Sequence, residues 1–133
     1  MAQIKPYDTF SDVKEHVKRG RVLSKGSTLT IDTTGTITVT DSYHLVATND
    51  PENSTTDDLK IINSAVPAQA GQILVLQASD TDETVVVKDY ASGSDNIRIG
   101  ADVSLDQAQD TVTLMWNGSA WNMLASSTAA TPS

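Results

Sequence analysis

Cysteine is absent from this chain, so no disulfide framework, thiolate metal site or thiol nucleophile is open to it. Aromatic residues make up only 5%, with a single phenylalanine, and histidine occurs only as His16 and His44. No apolar run reaches membrane-spanning length, and the opening "MAQIKPYDTF" lacks the apolar stretch of a secretory leader. These absences predict a soluble protein made in the cytoplasm. The N-x-S/T matches at Asn53 and Asn117 then read as coincidences, not glycan acceptors. The G-x-S-x-G, H-E-x-x-H, P-loop and G-x-G-x-x-G patterns are all missing. With no cysteine, one isolated strand histidine and carboxylates confined to turns, the residues in view assemble neither a triad nor an acid–base pair. The expectation is a protein that is not an enzyme, with no catalytic residue, no metal ligand and no cofactor.

Basic charge is scarce in the body of the chain. Residues 1–26 hold Lys5, Lys14, Lys18, Arg19, Arg21 and Lys25 against three acids, a balance of +3. The remaining residues have only Lys60, Lys88 and Arg98 against fourteen acids, a balance of −11. A basic arm is thus joined to an acidic body that would repel nucleic acid and anionic membranes, so neither is expected as a partner. Apolar residues total 38%. That makes a thin core of Val, Ile and Leu, of the kind a partner chain often completes.

Three segments follow from the patterning: a basic arm with a short helix over 1–26, a β domain over 27–125, and a loose polar tail over 126–133. In "DTFSDVKEHVKRG", Thr9 and Asp12 form a capping box, Phe10, Val13 and Val17 a narrow apolar stripe, and Gly20 a C-terminal stop. A helix of this length is too short to stand alone and must dock on something. From residue 27 the period becomes two. "STLTIDTTGTITVTD", "YHLVAT", "LKIIN", "QILVLQ", "TVVVKD", "NIRIG" and "DVSL" read as strands, with "NDPENSTTDD" as a long polar loop. Turn signals every eight to twelve residues predict a mainly β single domain, an antiparallel sandwich of jelly-roll type or a small barrel, and no repeat is strict enough for a solenoid.

The segment "LMWNGSAWNML", residues 114 to 124, carries the only two tryptophans. Asn117-Gly118 signals a two-residue type I′ turn. That turn would pair Trp116 with Ser119 and Leu114 with Trp121, and would place Val112, Leu114, Trp116, Trp121 and Met123 on one face. Such a face can be a stacking platform for a sugar or base, or it can pack on a second sheet or subunit. Its Val, Leu and Met companions favour packing, with Trp116 the more exposed ring. The loop Asp80, Asp82, Glu83 offers oxygen ligands but lacks the glycine and distant glutamate of an EF-hand, and solvated turns explain it better.

The pieces Ile62-Asn63, Gly71–Leu76, Thr84–Asp89, Asn96–Gly100, Asp102–Leu105 and Asp110–Trp121 occur in an order that resembles a β domain of tailed-bacteriophage virion proteins. Tail fibres, head fibres and capsid decoration proteins carry it. The resemblance covers residues 59–124 and implies a non-enzymatic virion structural module, usually homotrimeric, with an apolar surface buried between subunits. A short chain with its own basic arm fits a capsid decoration (cement) or head-fibre protein. In that reading Lys5, Phe10, Val13, Lys14, Val17, Lys18, Arg19 and Arg21 dock on the major capsid protein or another virion protein. The alternative is a tail-fibre or receptor-binding module that engages a host glycan through Trp116, Tyr90 or Tyr43.

Overall fold

A computed structural model of the chain describes residues 23–49, 55–90 and 92–128. The expected helix and the docking residues Lys5 to Arg21 lie outside them. Eleven strands are formed among the described residues: β1 (Leu29–Thr30), β2 (Thr36–Val39), β3 (Tyr43–Ala47), β4 (Thr56–Leu59), β5 (Ile61–Ser64), β6 (Ile73–Ala78), β7 (Thr84–Val87), β8 (Ile97–Arg98), β9 (Val103–Leu105), β10 (Thr111–Trp116) and β11 (Trp121–Ser127). The mainly β expectation stands. In β6, Leu74, Leu76 and Ala78 are buried while Ile73, Val75 and Gln77 are half-buried, so the alternation read from the sequence sorts the two faces of the strand.

The strands form a six-stranded sheet in the order β1-β3-β6-β10-β11-β8, a pair β2-β5, and a triplet β4-β7-β9. Inward side chains from all three sheets, among them Val46, Leu76, Ile37, Ile62, Leu59, Val85 and Trp121, close on one hydrophobic core. Burial of these Val, Ile and Leu side chains is the main favourable term holding the sheets together.

The antiparallel expectation needs correction. Five of the eight ladders among the described residues are parallel, namely β1/β3, β3/β6, β2/β5, β4/β7 and β8/β11. From β3 in the large sheet the chain crosses to β4 in the triplet and β5 in the pair. It then returns as β6 beside β3 and β7 beside β4. Tyr43 meets Val75, and Thr56 meets Thr84, each about thirty residues further along. Parallel neighbours need a long crossover, and here the crossover is made of strands in the other sheets, not helices. Alternating burial looks the same in either direction, which is why period alone did not reveal it.

A second correction falls on "NDPENSTTDD". Its last residues, Thr56, Asp57 and Asp58, form strand β4 together with Leu59 of the following "LKIIN", although aspartate is unfavourable in strands. Leu59 is fully buried, β7 lies alongside in parallel, and the Asp57 carboxylate accepts the Asn49 backbone N–H at 2.5 Å. Tertiary pairing overrides the local preference.

Candidate binding cleft at the hairpin

The hairpin β10–β11 is present, but its register differs from the two-residue turn. Trp116 pairs with Trp121, Met115 with Asn122 and Leu114 with Met123, with a bulge beyond Leu114. Residues 117–120 form the loop. Asn117 Oδ1 accepts the Ser119 and Ala120 N–H groups at 2.8 and 2.9 Å, and the Asn117 N–H donates to the Ala120 carbonyl at 3.0 Å. This side-chain turn satisfies donors that a tighter hairpin would have paired across the strands. Gly118 supplies the left-handed residue, with φ at 104°. The slip is of two residues, so side chains keep their faces: Val112, Leu114, Trp116, Trp121 and Met123 still point the same way. Val112, Leu114 and Trp121 are in the buried core of the chain itself, and Trp116 and Met123 pack partly buried against it.

The two tryptophans touch, with ring centroids 5.3 Å apart and planes tilted by 57°. Their surroundings differ. Trp121 is 1% exposed, and its indole N–H reaches the Ile62 carbonyl at 3.4 Å. Trp116 is held by its backbone, with its N–H donating to the Gln72 carbonyl at 2.9 Å and its carbonyl accepting the Gly71 N–H at 2.7 Å. Its ring forms one wall of an open cleft of about 310 Å³ completed by Asn63, Ser64, Pro67, Ala68, Asn96 and Gly118. Asn96 is locked in place. Its Oδ1 accepts the Ile62 N–H at 2.9 Å and its Nδ2 donates to the Ile62 carbonyl at 2.8 Å, so the amide closes the free edge of β5. Asn63 is exposed on β5, and neither its amide nor the Trp116 indole N–H is engaged by another described residue.

The cleft lining contains no carboxylate, imidazole, amine or guanidinium. The arrangement can stack on a ring and exchange hydrogen bonds with hydroxyls; none of its side chains carries a proton at neutral pH that it could transfer. A second cleft of about 270 Å³, lined by Asp32, Thr34, Thr56, Asp58 and Lys60 among others, is polar throughout. There the Asp32 carboxylate serves its own turn, accepting the Thr34 hydroxyl at 2.6 Å and the Thr34 and Thr36 N–H groups at 2.8 and 3.0 Å. The Thr34 hydroxyl holds the Asp32 carboxyl below the ordinary carboxylate value.

Other polar residues singled out by sequence are structural. His44 is fully buried. Its Nε2 accepts the Thr40 and Asp41 N–H groups, both at 3.1 Å, so its Nδ1 must carry the proton that it donates to the Ser27 carbonyl at 2.6 Å. Glu83 accepts the Thr48 N–H at 3.1 Å, and Asp80 accepts the Asp82 N–H at 2.9 Å. No group of three or more His, Cys, Asp or Glu that could hold a metal ion occurs among the described residues. Tyr90 stacks beneath the Arg98 guanidinium at 4.2 Å, remote in sequence from the tryptophans. Sequence reasoning reached Trp116 but gave no role to Asn63 and Asn96. Both amides appear beside short β-branched strands, and only the fold brings them to the ring.

The model of one family, the phage depolymerase C-terminal beta sandwich domain, matches residues 17–122. The match spans β1 to β10 and reaches both tryptophans. No curated protein matches the chain.

Proposed function

This chain belongs to the family of phage depolymerase C-terminal beta sandwich domains, and from that premise we propose that it is a tail-fibre-type virion module that binds host-surface glycan. In this reading it is non-enzymatic and works as a homotrimer. The observation that carries the glycan assignment is the neutral cleft that Trp116 lines together with Asn63, Ser64 and Asn96. An apolar ring face beside the exposed Asn63 amide and the Ser64 hydroxyl suits a sugar, which offers C–H groups on one face and hydroxyls around its rim. The family supports this role ahead of capsid decoration or a head fibre. The charge split of the sequence favours attachment to another virion protein through the basic residues of 1–26.

The test is binding of the full chain to purified host-surface polysaccharide, by glycan array and titration calorimetry. Trp116→Ala is expected to weaken binding by about tenfold or more, since loss of one stacked ring costs on the order of 1.4 kcal/mol. Asn63→Ala, at an exposed position, should weaken it several-fold without touching the core. Binding that survives both substitutions in folded protein would remove the cleft from the proposal.

A further inference from the structure

The chemistry of the Trp116 cleft restricts which glycan it can take. Every side chain lining it is uncharged: Asn63, Ser64 and Asn96 are polar, while Pro67, Ala68 and Trp116 are among the apolar ones. Residues 27–133 hold only three cations, and each is placed elsewhere. Lys60 lines the second, polar cleft, Lys88 holds Asp102 at 2.7 Å, and the Arg98 guanidinium lies over the Tyr90 ring at 4.2 Å. The same residues carry fourteen acids. A carboxylate or phosphate entering the cleft would give up water and meet no cationic side chain in return. It would also enter the field of a body whose balance is −11. The Asn63 amide and the Ser64 hydroxyl, by contrast, each offer a donor and an acceptor, which suits the hydroxyl and acetamido groups of an uncharged sugar.

We infer that the cleft is selective for uncharged glycan and turns away polysaccharides that bear uronate, sialate or phosphate groups. The inference rests on the glycan reading above and names its ligand class. Specificity is a difference of affinities, and here repulsion by the acidic body and the missing counter-charge supply the difference. Such selection has a salt signature. Charges at a surface are screened beyond about 8 Å at physiological ionic strength, and over shorter distances as salt rises. Affinity for an uncharged glycan should therefore be almost independent of salt. An acidic glycan of the same backbone should bind better as salt rises, the reverse of a site that holds an anion with lysine or arginine.

The test presents the full chain with an array of neutral and acidic bacterial polysaccharides at about 20 mM and about 300 mM sodium chloride. The binders are expected to be uncharged, with affinities that differ less than about twofold between the two salts. The tightest neutral binder with free C6 hydroxymethyl groups is then oxidised at those groups to uronates, which adds charge to an unchanged backbone. Its binding should fall by about tenfold or more at low salt and recover in part at high salt. Trp116→Ala assigns the binding to the cleft, and Asn63→Ala, at an exposed position, does so if Trp116→Ala does not fold. An acidic glycan that outbinds every neutral one and is lost with the cleft variant overturns the selectivity and leaves the glycan reading standing. So does an oxidised polysaccharide held as tightly as its parent at low salt, or one whose loss of binding salt does not relieve. Binding to no glycan, or binding indifferent to the cleft variant, overturns the glycan reading and the selectivity with it.

Discussion

The part of the chain from β1 to β7 and the hairpin β10–β11 solve the same problem in opposite ways. In the first, neighbours are parallel and come from distant sequence: β1 lies on β3, β3 on β6, β2 on β5 and β4 on β7. In the second, two long strands pair antiparallel across a four-residue loop, and β10 also pairs antiparallel with β6. Each parallel crossover must be closed before its contacts form, whereas the hairpin closes locally. The winding therefore depends on the hairpin that seals its end, and the two meet at Trp121. Its indole and backbone N–H groups reach the Ile62 and Asn96 carbonyls, while its ring faces Trp116.

The most forceful way to break this division of labour is Trp121→Ala. Removing a fully buried tryptophan costs about 3–5 kcal/mol. Because the ring is shared, the loss should appear as one cooperative transition at lower urea, monitored by far-UV circular dichroism. Two separated transitions would mean that the winding stands without the hairpin. A smaller effect is expected from Gly26→Ala, which acts on the winding alone. A methyl there would overlap the His44 ring and come 2.6 Å from Asp41 Oδ2. His44 is held by three hydrogen bonds and cannot retreat cheaply, so the cost is about 1–3 kcal/mol. A stability equal to wild type would show that the Gly26 segment moves freely against β3.

How much of this was legible in the sequence follows from the same contrast. The hairpin was visible because its signals are local: Asn117-Gly118 lies between two strands of alternating residues. Even its error was benign, since a slip of two residues preserves the face and keeps Leu114 and Trp121 inward. The winding left no such mark. Nothing in "TDDL" reports that Asp58 will pair with Val86, because that ladder depends on backbone groups brought together from 28 positions apart. The cleft was half legible. Trp116 could be singled out as a rare aromatic, but Asn96 matters through its bonds to Ile62, a contact that no local pattern encodes.

The smallest expected effect separates the regions by their carboxylates. Asp89 is held below the ordinary carboxylate value by the N–H groups of Gly100 and Ile99, and Asp102 by the Lys88 ammonium at 2.7 Å and then the Asp89 N–H. Asp32, in the turn before β2, is lowered by the Thr34 hydroxyl. For each, the folded chain binds its proton less readily than the unfolded one, whose aspartates titrate at about 3.9. The stabilisation is therefore complete above that value and is lost as pH falls through the depressed folded values. Thermal midpoints should stay level from neutral pH down to about 5 and decline below about 4. All three groups face solvent, so the decline should be shallow. Salt distinguishes them further. The Lys88–Asp102 pair is screened at high ionic strength, while the neutral donors on Asp89 and Asp32 are much less affected. Asp102→Asn should accordingly lower the midpoint less in high salt than in low salt, and Asp32→Asn by nearly the same amount in both. An equal salt response of the two variants would show that the ion pair adds nothing to its backbone hydrogen bond.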